Sequence, residues 1–156
     1  MIQNETHKLS WKLTHFDELT TKELYEILRY RAEVFVVEQN CVYQDLDNKD
    51  LHCFHLIGRK SADAPLAAYT RIVPPGISFK EPSIGRVLTA PAFRGSSYGK
   101  QLMQESIRIV TSKYPNQGVR IGAQTYLDRF YRNLGFEPTG SVYDEDGIEH
   151  VEMVLT

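Results

Sequence analysis

Apolar residues recur along this chain at two periods, and the change from one to the other marks its elements. Leu24, Ile27, Leu28, Arg31 and Phe35 stand at helical spacing behind Thr20-Thr21-Lys22-Glu23, where a threonine cap is followed three residues on by an acid. This predicts a helix that ends near Val37. Leu102, Met103, Ser106, Ile107 and Val110 predict an amphipathic helix from about Gly99 to Lys113. Leu127, Phe130, Tyr131 and Leu134 predict a short third helix, stopped by Gly135. Leu9–Leu13, Phe54–Gly58, Leu66–Val73, Ser83–Leu88, Val119–Ala123, Val142-Tyr143 and Val151–Leu155 read as strands. Pro74-Pro75-Gly76, Pro91 and Asp146-Gly147 punctuate them, and the polar, acid-rich stretch Asn40–Leu51 reads as loop. The order is strand, helix, three strands, helix, strand, helix, two strands. It predicts a mixed α/β sheet with helices on its faces, the Gly99–Lys113 helix crossing between parallel neighbours.

Composition narrows the picture. The chain has 156 residues, and nothing in it marks a boundary or a repeat, so residues 1–156 are expected to form a single domain. With 42% hydrophobic residues it can bury a core without a metal or a disulfide staple. A net charge of −2 argues against a nucleic-acid partner. No apolar run approaches the ~18 residues of a membrane span. The N-terminal MIQNETHKLSWKL lacks a signal core, so a cytoplasmic protein without a membrane partner is expected. Cys41 and Cys53 read as free thiols.

The candidate chemistry begins at Ala92-Phe93-Arg94-Gly95-Ser96-Ser97-Tyr98-Gly99-Lys100, a small-residue loop that follows a strand and opens a helix. The first helical turn carries unpaired N–H groups and the positive end of the helix dipole. Arg94 and Lys100 add full charges, so the loop suits a phosphate or pyrophosphate. It contains neither GxxxxGK[ST] nor GxGxxG, which leaves a pyrophosphate-bearing carrier such as coenzyme A as the candidate. The alternative is a glycine/serine turn that merely enters a helix.

Arg94-Gly95-Ser96-Ser97-Tyr98-Gly99 resembles the R/Q-x-x-G-x-G/A signature of the GNAT N-acetyltransferase superfamily, with Ser97 in place of the central glycine. If position 97 requires a positive φ, serine costs about 1 kcal/mol there. Val119–Gln124 followed by Phe130-Tyr131-Arg132-Asn133-Leu134-Gly135-Phe136 resembles the superfamily's late strand–helix unit. The run Leu28–Asp50, together with Glu145-Asp146-Gly147-Ile148-Glu149-His150, is similar to the ElaA branch of that superfamily. The resemblance extends from about Trp11 to Met153.

It implies a GNAT-like mixed, mostly antiparallel central sheet flanked by helices. It also implies an N-acetyltransferase that moves an acetyl group from acetyl-CoA to an amine by direct attack in a ternary complex. The donor would lie on Val87, Leu88 and Thr89, with the Leu88 N–H toward the thioester oxygen. Arg94, Gly95, Ser96, Ser97, Tyr98, Gly99 and Lys100 would hold the pyrophosphate, and Gln124 would line the site. Tyr131 matches the tyrosine that protonates the leaving thiolate, although it also sits on the apolar stripe of its helix.

An alkylammonium acceptor must lose a proton. Glu38 is the first candidate base; Asp45, Asp47, Asp50 and His150 are its rivals, and the acids also read as a solvated loop or as an attractant for a cationic substrate. Asp45-x-Asp47-x-x-Asp50 lacks the glycine and terminal glutamate of a calcium loop. His52-Cys53-x-His55 splits across the two faces of a strand, which favours packing over a metal site, so no metal is expected. Arg31, on the inner helical stripe, calls for a buried carboxylate, Asp45 or Asp47. The acceptor is left open as a small-molecule or peptide amine, and the assembly as a monomer or homodimer. Two alternatives stand beside this reading: an acyl-homoserine-lactone-synthase-like enzyme using S-adenosylmethionine, and a non-catalytic acyl-CoA-binding module.

Overall fold

The structure is a computed structural model that describes residues 8–156. Residues 1–7, on which the reading of the N-terminal segment partly rests, lie outside the described residues. Seven strands and three α-helices follow one another: β1 (Ser10–His15), α1 (Thr21–Arg31), β2 (Phe54–Arg59), β3 (Leu66–Val73), β4 (Ser83–Thr89), α2 (Tyr98–Lys113), β5 (Val119–Gln124), α3 (Asp128–Asn133), β6 (Glu137–Glu145) and β7 (Ile148–Leu155).

Local signals account for the helix ends. The Thr20 hydroxyl accepts from the Glu23 N–H, and the Glu23 carboxylate accepts from the Thr20 N–H, a complete capping box. The helix expected to reach Val37 stops being α-helical at Arg31 and continues over Ala32–Glu38 as a wider π-helical segment. The extra residue per turn sets Val34 and Phe35 inward and leaves Glu38 exposed.

The expected sheet is divided. β1–β2–β3–β4 form one antiparallel sheet and β5–β7–β6 another. β4 and β5, the neighbours that α2 connects, form no ladder; the Arg120 N–H donates to the Pro82 carbonyl at 3.1 Å near their starts. Their later residues line a cleft instead.

β3 is buried at all eight positions, because helices cover both of its faces. On one side Leu66 and Tyr69 pack with Ile27, Val34, Phe35 and Leu88. On the other, Ala67 and Ala68 pack with Leu102 and Ile109 of α2, where Thr70 and Ser106 join their hydroxyls at 2.8 Å. A third cluster, including Ile84, Met103, Ile121, Tyr131, Phe136 and Met153, fastens the two sheets together. At about 25 cal/mol per Å² of buried apolar area these clusters are the main stabilising term. No described helix is long and apolar enough to cross a membrane.

Candidate active site

β4 carries the irregularity that shapes the cleft. Tyr69 pairs with Leu88 and Arg71 with Gly85, so Arg86 and Val87 together face Thr70 and neither has a partner in the ladder. Arg86 sits at φ 51, a left-handed conformation costly to a residue with a Cβ. Its side chain holds it there: Nε donates to Asp45 at 2.7 Å, Nη2 donates to the Asp45 carbonyl at 2.9 Å, and the guanidinium lies over the Tyr43 ring.

Asp45 belongs to a buried ion network. Arg31, at 0% exposure, donates to Asp45 at 2.9 Å and to Asp50 at 2.7 Å. Arg71 donates to Asp47 at 2.8 Å and to Asp50 at 3.1 Å. Burial alone would raise the Asp50 carboxyl, but hydrogen bonds and charge from Arg31 and Arg71 outweigh it and hold the group below the usual carboxylate range. Asp47 is held low by Arg71 and Arg86 in the same way, against its own desolvation. This corrects the reading of these acids as solvated or as bases. Asp45 is the buried partner expected for Arg31, and Asp50, not foreseen in that role, is a second. Arg71 and Arg86 were missed; the signals in the sequence were an arginine inside the apolar run Leu66–Val73 and another directly after Gly85.

The histidine–cysteine group is consumed by packing. His55 places one ring nitrogen 2.7 Å from the Tyr69 hydroxyl and the other 3.0 Å from the Asp50 carbonyl. Burial lowers its pKa, so the ring is neutral. Cys53 donates to the Lys49 carbonyl, and Cys41 to the Asp146 carbonyl at 3.2 Å; both are free thiols.

The cleft between the sheets has a volume of about 1130 Å³. Glu38, Val87, Leu88, Thr89, Arg94, Gln124, Tyr131 and His150 all line it. Leu88 is in register with Tyr69 and its side chain is buried in the core, so only its main chain can meet a ligand. Glu38 and Arg94 form an ion pair at 2.8 Å. Gly95, Ser96, Ser97, Gly99 and Lys100 continue from Arg94 along the surface beyond the cleft. Tyr98 is 4% exposed and its ring packs near Phe93, so of this residue only the main chain is open to a ligand. Ser97 stands at φ 61, as a glycine would, and its hydroxyl does not cap α2. The first helical bond is Gln101 N–H to the Ser97 carbonyl, which leaves the Tyr98, Gly99 and Lys100 N–H groups open to an anion.

Tyr131 is 5% exposed, held edge-on by Phe130 and Phe136. Among the described residues its hydroxyl has no hydrogen-bond partner, and burial pushes its pKa up to about 12. The phenol is therefore a protonated donor at neutral pH, standing on the wall of the cleft.

Residues 26–156 match the family of the acetyltransferase (GNAT) domain. The chain belongs to that family. Within it, the chain is similar to Protein ElaA of Escherichia coli, 42% identical over 147 residues covering 93% of this chain and 95% of that protein. The crystal structure of that ElaA superposes with a TM-score of 0.86 over 95% of this chain and 99% of the other, at 39% identity. An acyl-CoA N-acyltransferase from Pseudomonas aeruginosa superposes with a TM-score of 0.87 at 37% identity, over 95% of this chain and 99% of the other. The UPF0039 protein sll0451 of Synechocystis is 40% identical over 95% of this chain and 96% of its own length. The GNAT fold, with its antiparallel sheets and flanking helices, is the one described above, and the chain is an enzyme of the GNAT acyltransferase class.

Proposed function

We propose that this GNAT protein transfers an acetyl group from acetyl-CoA to an amine, small-molecule or peptide, by direct attack in a ternary complex. The observation that carries the reading is that Arg94, in the loop that opens α2, the β4 bulge residues Arg86 and Val87, and Tyr131, whose hydroxyl has no partner among the described residues, all line one cleft. The residues present suit a CoA thioester. The Gly95–Lys100 amides with Arg94 and Lys100 suit its pyrophosphate. The main chain of Val87, Leu88 and Thr89, with Gln124 opposite, suits the pantetheine, and the Leu88 N–H is the candidate donor to the thioester oxygen. Such a donor stabilises charge where it develops. Tyr131 gives its proton to the departing thiolate.

Two glycines bear on the reading in different ways. Gly95 adopts φ 85 and is needed for the backbone. Gly99 has an ordinary φ, and a Cβ there would meet only the Thr89 hydroxyl at 3.7 Å. The protein by itself has room for a side chain at 99; an approaching phosphate does not.

The test is the melting temperature with acetyl-CoA, with S-adenosylmethionine and with neither. Acetyl-CoA at ~100 times its Kd adds about 2.7 kcal/mol of stability, a shift of a few degrees at this size. Stabilisation by acetyl-CoA alone, followed by thiol release in the presence of an amine, is the expected result. Stabilisation by S-adenosylmethionine instead moves the chain to the lactone-synthase-like reading. Binding without turnover makes it an acyl-CoA-binding module.

A further inference from the structure

The cleft has two walls of different charge. On the side opposite β6 and β7, the arginines are paired with carboxylates, Arg71 with Asp47 and Asp50, Arg86 with Asp45 and Arg94 with Glu38, while Lys49 donates to the Ser78 hydroxyl. The β6–β7 wall presents Glu145, Glu152 and His150. His150 lies in register with Gln124 at the end of β5, and its ring stacks on Tyr143 at 5.7 Å between centroids. It is 9% exposed.

Its hydrogen bonding defines its proton. Nδ1 lies 2.8 Å from the Ile148 carbonyl, which can only accept, so Nδ1 carries the hydrogen. In the neutral ring Nε2 then holds the free lone pair, and it has no hydrogen-bond partner among the described residues. Glu145 stands 3.7 Å from it, too far for a hydrogen bond. His55 is the contrast: both of its nitrogens are engaged and it does not line the cleft.

We propose that His150 is the general base and that the acceptor is an alkylammonium, drawn to the Glu145–Glu152 wall and deprotonated by Nε2, directly or through one water. The proposal rests on the acyl-transfer reading and deepens it. One N–H proton of the ammonium passes to Nε2 and on to solvent. The freed nitrogen lone pair forms the N–C bond at the thioester carbon as the C–S bond breaks. The nitrogen then sheds its second N–H proton to solvent, and solvent returns one to the Tyr131 phenolate left when the phenol protonated sulfur. Glu38, bound to Arg94, is then a partner of the donor-binding loop. The groups facing His150 are Glu145 and Tyr143 from β6, Gln124 from β5, and Glu152 on its own strand. Glu149 is turned away toward Thr125.

The test uses n-propylamine and spermidine as acceptors with acetyl-CoA. His150→Gln should lower kcat/KM about 10²–10⁴-fold at pH 7. The loss should shrink about tenfold per pH unit toward the amine pKa near 10, where solvent supplies the free amine. The thermal shift with acetyl-CoA should be unchanged in this variant. Imidazole nitrogen NMR of His150 supplies a readout without turnover, and should show Nδ1 protonated and Nε2 bare in the neutral ring. A bare Nδ1, or a His150→Gln variant whose kcat/KM at pH 7 stays within about threefold of the native value, overturns the base. Acetyl-CoA stabilisation with neither amine acetylated overturns the alkylammonium assignment and leaves the donor site standing. Absence of acetyl-CoA stabilisation in the native protein overturns the acyl-transfer reading and this proposal with it.

Discussion

Arg31 is the side chain on which the loop after α1 depends. It is wholly buried, and its guanidinium joins Asp45 to Asp50 across five residues of chain. Arg31→Met strands both carboxylates in the interior and should destabilise the fold by about 3 kcal/mol, the low end for breaking a buried pair, because Arg86 and Arg71 remain. A urea unfolding curve measures it, and Asp50→Asn added to Arg31→Met should recover part of the loss. A cost under about 1 kcal/mol would mean that the network is not built on Arg31. Tyr131 is the opposite case. Its hydroxyl bonds to nothing described, so Tyr131→Phe should leave stability within about 0.5 kcal/mol while lowering kcat about 10²-fold or more. An unchanged kcat removes the general-acid role.

At the scale of the element, α2 has two duties. Its buried face, with Leu102, Met103, Ser106 and Val110, closes the core, and its start is left open. Ser97 holds a glycine-like conformation at φ 61 without using its hydroxyl as a cap, so the element gives up stability where its amides are exposed. Gly99→Ala separates the duties. The added methyl fits the protein and improves helix propensity, so Tm should rise slightly, by the equivalent of about 0.5 kcal/mol. The same methyl should weaken acetyl-CoA binding, read as a smaller ligand-induced Tm shift. An undiminished shift would put the phosphates elsewhere.

The whole molecule responds to pH through its buried charges. Asp47 and Asp50 have folded pKa values below their unfolded ones, so their contribution is present above about pH 4 and is lost as pH falls through the folded values. His55 is also depressed, by burial, and its contribution begins to fall below about pH 6.5. Urea midpoints should therefore be flat above about pH 7, decline gently below 6.5 and steeply below 4. A plateau extending down to pH 5 would mean that His55 is not buried as a neutral ring. The same scale explains the site: two sheets joined near the start of β4 and β5 leave a cleft whose walls come from both, so donor and acceptor groups distant in sequence meet only there.

Most elements and the small-residue loop before α2 were legible in local sequence, although α1 gives way to a π-helix after Arg31 and β6 begins at Glu137. The Thr20–Glu23 cap, the apolar stripes of α1 and α2 and the Asp146-Gly147 turn, at φ 54 and 81, are local signals, and each depends on residues within one or two turns of chain. The resemblance of Arg94–Gly99 was legible for the same reason. The division into two sheets, the bulge at Arg86, the pairing of Arg71 with Asp47 and Asp50, and the placing of His150 on the cleft wall came from tertiary contacts. Each depends on groups brought together from separate strands: Asp45 reaches Arg86 across 41 positions, and Arg71 reaches Asp50 across 21. Charge pairing over such distances leaves no period in the sequence, because any of several acids could meet any of several arginines until the core closes and desolvation makes every unpaired charge costly.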